Sequence, residues 1–132
     1  MLTNIVQLDK VGIRDLDLVG GKNASLGEML QNLTRLGVNI QGGFVITVNA
    51  YHRFIEYNDL DLKIRDLVKA IDYTSMESLR RAGLKIRESI RNGRFPSELS
   101  QEIIDSYYQL SKRYGQEITD VGSLLSNCRR SA

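Results

Sequence analysis

Two glycines and a lysine stand directly in front of a helical pattern in the run Val19-Gly20-Gly21-Lys22-Asn23-Ala24-Ser25-Leu26-Gly27-Glu28-Met29-Leu30. From Asn23 onward apolar residues recur at Leu26, Met29, Leu30, Leu33 and Leu36, the stripe of an amphipathic helix. Gly37 follows the last of them and stops the helix. Gly43 to Val48 is β-branched and bounded by glycine, which predicts a strand. A loop, a helix and a strand in that order place the chain in the α/β class. The loop also has a chemical reading. First-turn N–H groups of a helix together with one ammonium make a cradle for a polyphosphate. Gly20-Gly21-Lys22 by itself is not the longer phosphate-loop pattern, so the triplet alone has little specificity.

The rest of the chain reads as helix with one further strand. Ile5-Val6-Gln7-Leu8 is short and β-prone, and Asp15 to Gly21 reads as a loop. Asn49 is expected to cap a helix through Tyr57, with Tyr51, Phe54 and Ile55 on one side. A second helix is predicted over Leu60 to Ile71, striped by Leu60, Ile64, Leu67, Val68 and Ile71. Ser75 caps a third, Met76 to Arg91, with Leu79, Ala82, Gly83, Ile86 and Ile90 inward. Pro96 opens a fourth, carrying Leu99, Ile103, Tyr107, Leu110 and Tyr114 and ended by Gly115. No repeat, low-complexity tract or linker interrupts the chain. The expectation is one compact, helix-rich α/β piece.

At 132 residues the chain is one domain in size and long enough for a real core. A net charge of +2 selects no partner class. The single cysteine, Cys128, excludes an internal disulfide and offers no metal-site spacing. No apolar run approaches a membrane span, and Met1-Leu2-Thr3-Asn4 does not begin a signal peptide, so no membrane partner and a cytoplasmic location are expected.

Lys22 is the strongest candidate for contact with phosphates; alone, it reads as a solvated lysine beside a turn. Gly20 and Gly21 either let the backbone approach phosphate or only permit φ > 0 in that turn. Arg80, Arg81, Lys85, Arg87, Arg91 and Arg94 form a basic cluster that reads as the solvated face of its helix. No aromatic residues interleave with it, so no nucleic-acid surface is indicated. His52, the only histidine, has no nearby acid to orient it and receives no catalytic role. Asp15, Asp17 and Glu28 fit no Ca²⁺-loop spacing, and no metal site is assigned. Tyr107 and Tyr108 read as core and rim.

The run 19–30, with Gly37-Val38-Asn39-Ile40-Gln41-Gly42-Gly43-Phe44 and Ala50-Tyr51, resembles the start of the nucleotide-binding domain of the dikinase family. That family includes phosphoenolpyruvate synthase (pyruvate, water dikinase), pyruvate phosphate dikinase and the rifampin phosphotransferases. Its pattern V-G-G-K-N-A-S-L-G-E-M is matched almost letter for letter, and Gln41 stands where the family usually has proline. The resemblance runs to about Val121 and implies the N-terminal part of an ATP-grasp-like domain. It also implies ATP as ligand, held in part by Lys22, Gly20 and Gly21. The parent reaction converts ATP, pyruvate and water to phosphoenolpyruvate, AMP and phosphate through a phosphohistidine. The Mg²⁺ ligands, the carrier histidine and the pyruvate site belong to other parts of the family's longer polypeptides. The chain is accordingly expected to be a fragment without catalysis of its own. A stand-alone nucleotide-binding or regulatory module, and a remnant that binds nothing, are the alternatives.

Residues 122–132 depart from the family, which typically reads A-V-R-S-S-A-T-A-E-D-L-P after a position like Val121. Codons can be chosen for Gly122 to Ala132 so that the frame one base later reads A-V-S-S-A-T-A-E-D-L, with a start on proline. The expectation is that this stretch is frameshift product. Arg129, Arg130, Ser131 and Cys128 then inherit no role.

Overall fold

Residues 3–114 are described by the computed structural model, and the readings of Gly115 and of 122–132 lie outside them. Strand β1 (Ile5–Gln7) runs into two short 3₁₀ turns, Leu8–Lys10 and Ile13–Asp15. Helix α1 (Leu16–Arg35), strand β2 (Phe44–Ile46) and helices α2 (Val48–Tyr57), α3 (Leu60–Lys69), α4 (Met76–Arg91) and α5 (Ser97–Arg113) follow. The expected α/β character holds in its coarse form: much helix and one small sheet. Where the sequence reads as one compact piece, the described residues divide into two units. One comprises residues up to His52 together with those from Ser97 onward, and the other is Arg53–Pro96. The first boundary falls inside α2, so no change of composition marks it. Among the described residues no helix is long and apolar enough to cross a membrane.

In the first unit β1 and β2 pair antiparallel, with Ile5 opposite Ile46, Val6 opposite Val45 and Gln7 opposite Phe44. Val11, Val19, Ala24 and Val45 form its buried cluster, with Val6, Leu8 and Leu18 packed against it. α1 lies over both 3₁₀ turns. It buries Val19, Ala24, Gly27 and Leu30, so of the predicted stripe Leu30 is buried and Leu26 and Leu33 are half-buried. Met29 is 47% and Leu36 78% exposed. At Ala24 and Gly27 small residues let the helix and turn backbones come close. Leu99 and Ile103 of α5 are buried as expected.

Thr47, not Asn49, caps α2. Its Oγ1 accepts the N–H of Ala50 at 3.3 Å and donates to the carbonyl of Thr3 at 2.7 Å. Thr47 is buried, so one hydroxyl both starts the helix and ties it to the chain ahead of β1.

The second unit packs Phe54, Ile55 and Leu60 with Ile64, Ile90 and Phe95. The rings of Phe54 and Phe95 lie 5.1 Å apart between centroids. Asn58 fastens its end. Its Nδ2 donates to the carbonyls of Phe54 and Arg94, and its Oδ1 accepts the N–H of Arg94 at 2.7 Å. Ser75 caps α4 as the sequence predicts, its Oγ accepting the N–H of Ser78 at 3.2 Å.

The turn between α3 and α4 is closed by Asp72. Its Oδ1 accepts the hydroxyl of Thr74 at 2.6 Å and the N–H of Thr74 at 2.9 Å. The hydroxyl bond first, and the backbone bond second, hold this carboxyl below its ordinary range. A lowered folded value means that the bonded turn is favoured above the ordinary carboxylate range. That preference is lost as pH falls through the folded value. Thr74→Val is expected to move the Asp72 titration upward, as followed by carboxyl-carbon NMR; an unmoved midpoint would refute the assignment.

Candidate nucleotide-phosphate site

Lys22 sits just after a break in α1. Gly20 has φ 77° and ψ 162°, while the helix is regular on either side. That combination is essentially restricted to glycine. Gly21 is helical, and of the two only Gly20 has positive φ. The residues read as a loop, Asp15 to Gly21, are therefore a 3₁₀ turn, a first helical turn and a single broken residue. The turn that restarts at Gly21 presents first-turn N–H groups, the positive end of a helix that is 15 residues long from Gly21 to Arg35.

The neighbours of Lys22 show how the break is held. Asn23 turns its Nδ2 back to the carbonyl of Val19 at 2.9 Å, bridging Gly20. Val19 and Ala24, on either side, are buried, Ala24 completely. A Cβ at Gly27 would run into the carbonyl oxygens of Val11 and Leu8. Glu28 accepts the N–H of Ile13 at 3.3 Å, and Asp15 accepts that of Gly12 at 2.9 Å. Gln31 donates to the carbonyl of Val11 at 2.9 Å.

Most of the run thus has a packing or hydrogen-bonding duty. Lys22, by contrast, is exposed and has no ion-pair partner among the described residues. Gly21 is exposed beside it. Asn23 and Gln31 are supporting residues that reading the sequence did not single out, and Glu28 was considered there only as one of three carboxylates. Their only signal there is membership of the run or spacing along it. Asp15 and Glu28 are occupied with backbone N–H groups rather than converging with Asp17. Among the described residues no three His, Cys, Asp or Glu side chains come together to hold a metal ion. His52 is exposed, its ring edge-on to Tyr51.

The family description "Pyruvate phosphate dikinase, AMP/ATP-binding domain" matches residues 16–132, beginning at the first residue of α1. The chain belongs to this family. Phosphoenolpyruvate synthase of Aquifex aeolicus is 45% identical over 117 residues, 89% of this chain and 14% of that protein. The Synechocystis phosphoenolpyruvate synthase is 42% identical over 118 residues, again 89% and 14%. The Escherichia coli phosphoenolpyruvate synthase is 37% identical over 107 residues, 81% and 14%. The chain thus spans 14% of the length of these relatives, as an N-terminal piece of such an enzyme would.

Proposed function

We propose that this chain carries the first part of the ATP site of a phosphoenolpyruvate synthase, within an ATP-grasp-like domain of a cytoplasmic enzyme. One observation carries the reading: a helix restarts at a glycine-only break immediately before an exposed, unpaired lysine, in a chain of an AMP/ATP-binding family. The first-turn N–H groups of Gly21 and its successors would accept phosphate oxygens, and the Lys22 ammonium would neutralise their charge. Gly20 supplies the bend that opens this helix end. In the complete enzyme such positioning serves phosphoryl transfer from ATP to a histidine and on to pyruvate. The proposal assigns Mg²⁺, the carrier histidine and pyruvate no ligand in this chain, and assigns the isolated chain no catalysis.

Isothermal titration of the chain with ATP tests this. Saturable binding is expected, weakened about tenfold or more in Lys22→Ala, the range for a lost hydrogen bond to a charged group. Binding unchanged by the substitution would remove Lys22 from the site. Phosphoenolpyruvate formed from ATP and pyruvate by the isolated chain would refute the claim that it is not catalytic. The division at residue 121 is part of the same proposal. Genomic sequence that lacks the family's T-A-E-D-L-P in either shifted frame refutes it.

A further inference from the structure

Asn23 supplies at the candidate site something that a helix normally supplies itself. In an unbroken helix the carbonyl of Val19 accepts the backbone N–H four residues on, that of Asn23. The angles at Gly20, φ 77° and ψ 162°, turn the chain out of that alignment. The Val19 carbonyl accepts the side-chain Nδ2 of Asn23 at 2.9 Å. Gly20 permits this break but does not impose it. Glycine takes φ < 0 as readily as φ > 0. Nothing lies within 4 Å of a Cβ built there, so no neighbour forces the residue out of the helix. The residues beyond it are fixed, with Val19 5% exposed and Ala24 fully buried. A carbonyl beside such packing has to find a donor. Asn23, itself half-buried, provides one.

The backbone N–H groups at positions 21 to 23 open the helix that restarts there, and a helix gives its first N–H groups no partner of its own. We propose that Asn23 is a positioning residue for the phosphates. Its carboxamide takes the Val19 carbonyl, holds the break open, and leaves the N–H groups of Gly21, Lys22 and Asn23 to donate to phosphate oxygens. The side chain itself does not meet the ligand. Its Nδ2 is engaged, and the Oδ1 that remains is an acceptor, which repels a phosphate oxygen. Without the carboxamide, the Val19 carbonyl draws back the N–H of residue 23 and Gly20 returns to helical angles. The helix then runs on through Lys22 and offers an anion no free end. That the anion is a nucleotide phosphate rests on the ATP reading above; the change of donor at Val19 does not.

Amide hydrogen exchange in the full chain, followed residue by residue by NMR, tests the change of donor directly. In the wild type the N–H of residue 23 should exchange at close to the rate of an unbonded amide. In Asn23→Ala it should slow by about tenfold or more, a gain of protection that loss of structure cannot produce. The same variant should bind ATP about tenfold more weakly, the range for a lost hydrogen bond to a charged group, with a melting temperature unchanged or raised. Asn23→Leu, which keeps bulk but no donor, should behave alike. An N–H at residue 23 already protected in the wild type overturns the proposal, and so does faster exchange along α1 in both variants. ATP affinity lowered by Lys22→Ala but untouched by Asn23→Ala overturns it too. If the wild-type chain binds no ATP, the nucleotide reading falls by itself. Protection gained at residue 23 then still upholds the role of Asn23, and its absence overturns it.

Discussion

Gly27→Ala is expected to destabilise the protein by about 2 kcal/mol, although alanine is the better helix former. Propensity alone predicts a gain of about 1 kcal/mol at a helical glycine. The surroundings reverse the sign. A Cβ at Gly27 would stand 2.8 Å from the carbonyl oxygen of Leu8 and closer still to that of Val11. Both obstacles are backbone, so no flexible side-chain end can yield. The Val11 carbonyl already accepts the Gln31 amide, and the Val11 side chain is only 2% exposed. Moving it breaks that bond and opens the cluster with Val19, Ala24 and Val45. Urea denaturation of the two proteins reads the difference directly. A more stable Gly27→Ala protein would mean that α1 and the 3₁₀ turns separate freely, and the account of this packing would fall.

That contact also shows why parts of the fold were legible in the sequence and parts were not. Helix α4 was predicted to the residue, because Ser75 is a local cap and the stripe behind it is local too. The two strands were legible, the first as a short β-prone run and the second from β-branched residues beside glycine, with ends that differ by a residue or two. The inner face of α1 was legible only in part. A search for large apolar residues every three or four positions finds Leu30, which is buried, and Leu26 and Leu33, which are half-buried, but it also selects Met29 and Leu36, which are exposed, and passes over Ala24 and Gly27, which are buried. The Thr47 cap was missed for a related reason. Its hydroxyl bonds to Thr3, 44 residues away, and no local pattern announces such a partner. At the candidate site the run around Lys22 pointed to the place, but not to how its letters divide. Asn23, Gly27 and Glu28 hold the helix in position, while Lys22 is exposed with no ion-pair partner among the described residues.

The paired glycines at 20 and 21 should respond to alanine with opposite signs. Both looked alike in the sequence, as residues that permit a turn. Gly20 alone has the backbone angles that a side chain cannot share, so Gly20→Ala should cost about 1–3 kcal/mol. Nothing lies within 4 Å of a Cβ built there, so the cost is backbone strain and not collision. Gly21 is helical, and its nearest contact would be Leu16 Cδ1 at an ordinary 3.7 Å. Gly21→Ala should therefore be neutral or stabilise by up to about 1 kcal/mol. Thermal melting of the two variants separates them. Relief of the Gly20 strain would straighten the helix and return the first-turn N–H groups of Gly21 and Lys22 to ordinary bonds within it. ATP affinity should then fall in Gly20→Ala along with stability. If both variants lose stability equally, the break at Gly20 is not what the pair provides. If Gly20→Ala loses stability yet binds ATP as before, the bend serves packing, and Lys22 must act without the helix end behind it.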